Sequence, residues 1–485
     1  MLPKNLKFQS KIESASAKSY KSNVSPMNGT GDYGVNSNII INIPTRANLC
    51  LAGSESFLKF DVVFKNGATS ANNIRLDSCG GHSFISRLRL FHGSNLLEDI
   101  QEYNLLAKML FDLQIPTDGA YGKYNILAGT RSDLVPNIPL IASPSGTDAT
   151  TTQTLANEIK TSLNASKSVL QINSGELVGS SLSANALTTK RTYCLNLISL
   201  LGSLSPVYIP LFACTSAPLR LELQLVSSTL NCCASLTAVD SFTISNCEFI
   251  AQMIELSDVA MGMIASSLGG QPLQFVIPSY RNYQYTGVMS SNSASNSDNT
   301  TQTQLQFAIP AKFSSLRSLF CTIRDKQTGE LGFFPYSSVT AGIQDYTFRV
   351  GSVIMPAKAP NNLIEMFSEV LKAIGSMSDI NHHPSIELAS YSLPLSVAHT
   401  AVGNTNSGSF YIGLDMENYA NSSDYKNNVF AGFNSNSDDI FLIANFIYPA
   451  KTAGATALNY SVRLDSFAMF DQVVIFENST AFVRF

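Results

Sequence analysis

The chain has 485 residues, 45% apolar and only 14% charged, with 28 Phe and 18 Tyr but no Trp. That much apolar material excludes an intrinsically disordered chain, and a charged fraction well below the about 25% of an average soluble protein fits either large faces hidden against neighbours or a secreted β-sandwich with a Ser/Thr/Asn surface. The formal net charge of −4, from 31 basic and 35 acidic residues, excludes the concentrated basic surface of a protein whose main partner is nucleic acid.

Residues 1–38 are polar and irregular, with Lys4, Lys7, Lys11, Lys18 and Lys21 spread along them, and read as an extended arm. They hold no apolar core of a secretory leader, and no stretch of the chain reaches the roughly 18 apolar residues of a spanning helix. The protein is therefore expected to be made in the cytosol. The eight cysteines show no CxxC spacing, several lie in apolar runs, and free thiols are expected.

Ordered structure is predicted to open with Asn38–Pro44 and Ser56–Phe64, then Phe84–Phe91, whose Ile85, Leu88 and Leu90 are separated by Ser86, Arg87 and Arg89. His92-Gly93-Ser94-Asn95 turns the chain. Apolar residues at 3–4 spacing from Ile100 to Leu110 predict a helix over Glu98–Gln114, stopped by Pro116. Residues 117–190 read as an elaborated surface loop. Strands return at Thr192–Leu201, Val207–Leu211, Leu219–Val226 and Phe242–Leu256; Leu219-Arg-Leu-Glu-Leu-Gln-Leu225 alternates perfectly. Residues 257–271 read as a linker. The second half opens with Leu273–Pro278 and continues with strands at Thr303–Ile309, Ser318–Arg324, Tyr346–Val350, Ser409–Leu414, Asp439–Phe446, Leu458–Phe467 and Gln472–Phe476, around a second helix at Asn361–Met377. Many short strands with only two strong helices mean a sandwich or barrel.

The halves share a frame. Gly93-Ser94 and Gly351-Ser352 each end an alternating strand, and each is followed by ten residues and then an apolar pair inside a helix, Leu105-Leu106 and Leu363-Ile364. Leu219-Arg-Leu-Glu-Leu near the end of one half matches Val462-Arg-Leu-Asp-Ser near the end of the other. A duplicated β-domain is the expectation: an arm at 1–38, a first sandwich at 39–256, a linker at 257–271 and a second sandwich at 272–485.

Chemistry-bearing motifs are absent: no GxSxG, GxxxxGK[ST], HExxH or GxGxxG after a strand. His382-His383 near Asp379 invite a metal but lack a convergent third ligand and read as an exposed loop. His92, Ser94 and Asp99 are triad residue types crowded into a turn and helix start, where Glu98 and Asp99 suit the helix dipole. Asp438-Asp439 have calcium-ligand chemistry but read as a solvated turn. Sequons at Asn164, Asn421 and Asn478 are expected by chance in an Asn/Ser-rich chain. The N-terminal lysines neutralise only a handful of phosphates, so any genome contact is indirect. No enzyme activity, cofactor, or catalytic, cofactor-binding or metal site is expected.

A β-sandwich of about 230 residues repeated once resembles the double jelly-roll major capsid proteins of tailless icosahedral DNA viruses, the lineage of adenovirus hexon, large nucleocytoplasmic viruses, virophages and polinton-like viruses. The likeness is carried by Ser86–Leu97 with its following helix, by Val207-Tyr-Ile-Pro-Leu-Phe with Ala217–Gln224, and by Asn459–Phe467. It implies an all-β fold of two consecutive jelly-roll β-sandwiches, each with one short helix. It also implies a structural major capsid protein forming pseudo-hexameric homotrimeric capsomers, with towers from 117–190, 288–303 and 400–437. The implied partners are copies of itself, neighbouring capsomers, minor capsid and vertex proteins, and a membrane reached through the arm; the implied location is the virion, assembled inside the host cell. The alternative that composition leaves open is a secreted β-sandwich adhesin or carbohydrate-binding protein.

Overall fold

The computed structural model describes residues 17–29, 31–65, 75–130, 191–205, 207–234, 241–290, 302–325, 334–375, 377, 384–393, 407–417, 432–447 and 459–485. Eleven strands come first: β1 (Ala17–Val24), β2 (Asn38–Ile43), β3 (Leu49–Leu51), β4 (Phe57–Lys65), β5 (Arg75–Leu76), β6 (Ile85–His92), β7 (Asn95–Gln101), β8 (Arg191–Leu195), β9 (Leu219–Leu225), β10 (Cys233–Ala234) and β11 (Ser241–Leu256). Nine follow: β12 (Leu273–Ser290), β13 (Gln302–Ile309), β14 (Leu316–Asp325), β15 (Ile343–Val350), β16 (Val353–Met355), β17 (Tyr411–Asp415), β18 (Ile440–Ile447), β19 (Asn459–Glu477) and β20 (Thr480–Arg484).

The first set forms sheets ordered β1-β11-β4-β8 and β2-β9-β6-β7; the second forms β12-β19-β14-β17 and β13-β18-β15-β16. The two pairs match place by place. In each half the first and last long strands are neighbours, and, apart from the β6-β7 and β15-β16 hairpins, successive long strands alternate between sheets, which is the eight-stranded jelly roll. Even the additions correspond: β3 pairs with the end of β11 as β20 pairs with the end of β19.

Side-chain alternation builds these sheets. Leu219-Arg-Leu-Glu-Leu-Gln-Leu225 buries every second residue, and β18 does the same across Ile440–Ile447. The repeated Gly-Ser turns are two-residue hairpin loops, closed by His92–Asn95 and Val350–Val353, with φ of +58° at Gly93 and +57° at Gly351. A Cβ on Gly93 meets nothing nearer than 3.6 Å, whereas on Gly342, also at positive φ, it lies 2.1 Å from the Ile447 carbonyl oxygen. Gly93→Ala is therefore expected to cost about 1–2 kcal/mol, the left-handed penalty alone. Gly342→Ala adds a backbone collision and is expected to cost several-fold more; thermal midpoints of the two variants check the contrast.

Several expectations are corrected. Strand β1 lies inside the expected arm and pairs antiparallel with Phe249–Leu256 of β11. It is an edge strand with exposed or half-buried residues throughout, held by backbone hydrogen bonds, so it carries no hydrophobic alternation. The first helix starts at Tyr103, not Glu98, because Asn95–Gln101 pairs with β6 as β7; Leu97 and Ile100, three apart, follow a helical spacing, and both are buried in the strand because the ladder shifts register at Leu97. Val207–Leu211 makes only a bridge from Ile209 to Leu51 and then a short helical turn. The expected linker contains a helix, Asp258–Leu268, capped by the Ser257 hydroxyl accepting from the Ala260 amide and ended by Gly269 at φ +55°. Leu458–Phe467 and Gln472–Phe476 are one strand, β19: Asp471 and Gln472, polar enough to suggest a break, are both satisfied, by Ser315 Oγ and by the Leu97 carbonyl. Pro278 sits within β12, which is the edge of its sheet and tolerates the missing amide. The second helix spans Leu363–Ile374, with Asn362 accepting from the Glu365 amide at 2.8 Å and Glu365 accepting from the Asn361 amide at 3.2 Å.

One hydrophobic cluster fills the first roll and continues into the second through residues such as Ile277, Tyr280, Val474 and Phe476; another fills the second roll around Phe348, Phe410 and Leu442. No helix among the described residues is long and apolar enough to cross a membrane.

Candidate functional site: the seam between the rolls

The feature that makes two sandwiches into one block is the seam where β7 and the helix Tyr103–Gln114 of the first roll meet β12, β20 and the β17 region of the second. Four polar stations cross it.

At the first, Lys108 is completely buried between Asp77 (3.5 Å) and Asp112 (2.6 Å). Asp112 Oδ2 also accepts from Ser409 Oγ at 2.8 Å and Tyr411 Oη at 2.6 Å, both from the second roll, and its backbone carbonyl accepts from the Ser385 amide at 3.1 Å. Lys108 Nζ donates to Ser409 Oγ at 3.2 Å. Burial alone lowers the lysine pKa, but the two carboxylates outweigh it and the ammonium is held above its usual range, while burial pushes the Asp77 carboxyl up. A cavity of about 120 Å³ opens beside this triad, lined from both rolls.

At the second, Arg324 pairs with the fully buried Asp465 at 2.7 Å, and Glu102 of the first roll reaches Arg463 at 3.0 Å and Gln284 at 3.1 Å. At the third, Asn104 Nδ2 donates to Tyr336 Oη at 2.6 Å. At the fourth, His92 Nδ1 accepts from the Ala481 amide at 3.1 Å; a backbone amide can only donate, so the ring proton is on Nε2, which donates to the Cys214 carbonyl at 3.1 Å. Asn95 Nδ2 returns to the Ala481 carbonyl at 3.1 Å. With most of its polar atoms paired and apolar surface continuous across it, the seam ties the two rolls together.

Of the sequence candidates, His92 lies in the seam and the others form no site with it. His92, Ser94 and Asp99 do not converge: His92 bridges the rolls, while Asp99 makes a bidentate pair with Arg87, both bonds at 2.8 Å. Glu98 and Asp99 lie in β7, not at a helix start, and Glu98 is buried, accepting from Ser199 Oγ and from the Leu200 amide at 3.0 Å. The Asp438-Asp439 turn already holds an ammonium, Lys312 Nζ, 2.8 Å from Asp439 Oδ1 and 2.7 Å from the Asp438 carbonyl. His382, His383 and Asp379 lie outside the described residues, as do Lys4, Lys7, Lys11, Asn164, Asn421 and most of the three expected towers; Asn478 is in the turn before β20. Among the described residues no three His, Cys, Asp or Glu side chains gather as a metal site. All eight cysteines are unpaired and all but Cys194 are buried. The sequence reading does not find the seam charges, although Lys108 and Asp112, four apart in a mostly apolar helix, are a visible signal of a paired polar stripe.

No protein-family model and no curated protein matches the chain. Solved structures do. The capsid protein Vp54 of virus PBCV-1, as fitted into a reconstruction of the virophage Sputnik, aligns at TM-score 0.57 and 8% identity over 99% of both chains. The mavirus major capsid protein aligns at 0.53 and 13% identity, over 100% of this chain and 93% of that one. The Faustovirus major capsid protein aligns at 0.53 and 9% identity, over 97% and 93%. This chain has the double jelly-roll fold. The alignments run across the seam, so the double jelly-roll pairing of rolls, and not only the single roll, is what this chain shares with them.

Proposed function

We propose that this chain is a major capsid protein whose work is structural: three copies associate into a pseudo-hexagonal capsomer that tiles an icosahedral virion assembled in the host cell. The observation that carries this is the place-by-place repetition of one jelly roll in a block held together by a buried seam. A pair of near-equivalent rolls set side by side offers, in three copies, six similar sectors, and closed rings of identical contacts are the common outcome of such association. The fold shared with viral capsid subunits supports the reading. Neighbouring capsomers, minor capsid and vertex proteins are the partners in this proposal; genome contact is indirect, and residues 1–16, with Lys4, Lys7 and Lys11, are the segment assigned to a membrane or minor protein beneath the shell. The experiment is native mass spectrometry with negative-stain microscopy of the purified chain. The expected species is about 157 kDa, three times the 52.4 kDa chain, with a hexagonal outline; a strict monomer at micromolar concentration refutes the proposal.

A further inference from the structure

The seam holds a second cavity, larger than the one beside Lys108. It measures about 420 Å³, and Asn36, Glu102 and Gln224 of the first roll face Thr286, Arg324 and Arg463 of the second across it. A volume of that order is typical of small-molecule sites. Its lining is mostly polar, so it does not stay empty as an apolar void does and calls for water or a polar guest.

Two guanidinium groups meet there, and one buried carboxylate sets them side by side. Asp465 gives one oxygen to each: Oδ2 accepts from Arg324 Nε at 2.8 Å, and Oδ1 accepts from Arg463 Nη2 at 3.1 Å. Arg324 is only 4% exposed, and its Nη1 donates to the Pro335 carbonyl at 3.2 Å. Its Nη2 is left over. This nitrogen lies 2.7 Å from Asp465 Oδ2 as an ion pair but aims no N–H bond at it, and it has no hydrogen-bond partner among the described residues. Glu102 Oε2 stands off at 3.6 Å, too far for a hydrogen bond. Leaving a buried donor without an acceptor is strongly unfavourable, so Nη2 marks a position that an added acceptor fills.

Glu102 is an incomplete internal stand-in for that acceptor. Its carboxylate accepts from Arg463 Nη2 at 3.0 Å and from Gln284 Nε2 at 3.1 Å. It does so from a left-handed backbone, φ +49°, uncommon for a residue with a side chain, and it leaves the helix it precedes without a side-chain cap. From there it hydrogen-bonds one of the two guanidinium groups. A phosphate group, with three terminal oxygens, is able to accept from Arg463 and from Arg324 Nη2 together.

We propose that this cavity binds a small phosphate monoester: the phosphate takes the place of the Glu102 carboxylate between Arg324 and Arg463, and the rest of the molecule lies against the uncharged amides and hydroxyl of Asn36, Gln224 and Thr286. As the cluster stands, two guanidinium groups face two carboxylates, Glu102 and Asp465, and their charges cancel. The phosphate therefore binds by displacing Glu102, the partly exposed acid of the two, while the buried Asp465 keeps the arginines in place. The site is complete within one chain, so it stands or falls independently of the capsomer proposal.

Calorimetric titration of the full chain tests this at constant ionic strength, so that screening does not imitate binding, with glycerol phosphate, inorganic phosphate and glycerol as probes. Saturable binding of one glycerol phosphate per chain is expected, with inorganic phosphate weaker and glycerol not bound at the same concentrations. Arg463→Gln, at a side chain 31% exposed, removes a charged donor and is expected to weaken glycerol phosphate binding about tenfold or more. Glu102→Gln removes the competing charge and is expected to tighten binding several-fold. A merely structural role for these side chains moves both variants in the same direction, so the opposite signs are the diagnostic. Absence of saturable binding to both the parent and Glu102→Gln overturns the proposal, as does binding that Arg463→Gln leaves unchanged or that Glu102→Gln weakens. Inorganic phosphate binding as tightly as the ester assigns the site to the free ion and overturns the monoester. Should Arg463→Gln fail to fold, the sign of the Glu102→Gln effect decides alone.

Discussion

Lys108→Met is expected to lower the stability of the folded chain by about 3–5 kcal/mol, the largest effect of any single charge removal in the seam. Lys108 is fully buried and is the cation that faces both Asp77 and Asp112; methionine fills its volume but leaves two almost wholly buried carboxylates without a cation. The loss comes less from the missing attraction than from stranding the partner charges, so removing the charges together is expected to recover most of it. The triple variant Asp77→Asn/Lys108→Met/Asp112→Asn should melt much closer to the parent than Lys108→Met does, because the carboxamide oxygen introduced at position 112 still accepts from Ser409 and Tyr411. Thermal and urea melts of parent, single and triple variants check this. A loss below about 1 kcal/mol for the single variant, or a triple variant worse than the single one, would show that the seam is not organised around this lysine.

Glu98 gives the second large effect, and it depends on pH. Burial pushes its carboxyl from 4.5 up to about 7, against the opposing hydrogen bonds from Ser199 Oγ and the Leu200 amide. The folded chain therefore keeps this proton at pH values where the unfolded chain has lost it. The resulting contribution to stability is fully present below pH 4.5, declines as the pH rises towards about 7, and is absent above that. The span between the two values corresponds to roughly 3 kcal/mol. Glu98→Gln stays neutral, retains an oxygen for the Ser199 and Leu200 donors, and removes this slope. Measured as the difference from the parent across pH 4.5 to 8, the variant is expected to gain in relative stability up to about pH 7 and then to level off. A constant difference over the same range would refute the buried-acid assignment.

How much of this is legible in the sequence depends on what holds each element. Strands such as β9 and β18 announce themselves because one face is buried and the other wet, which imposes a period of two on the residues. The Gly-Ser hairpins are equally visible, since a two-residue loop at positive φ demands glycine in both halves. Strand β1 is invisible for the opposite reason: an edge strand with polar residues on both faces is held by its backbone, and backbone bonds carry no residue code. Strand β7 is hidden because Leu97 and Ile100 are three apart, a helical spacing that a strand accommodates only through the register shift at Leu97. The seam was hidden by distance along the chain: Lys108 meets Ser409, and His92 meets Ala481, across 301 and 389 residues.

The amino-acid sequence by itself determined that the chain is built from strands, that its organisation is duplicated, and where the paired helices and hairpins recur, because these are local and are written in spacing and glycine placement. Tertiary structure alone decided that the two rolls share a continuous core and which polar side chains are locked between them. Those outcomes depend on which surfaces meet, and the free energy of burying a surface is set by the partner facing it, not by the segment that bears it.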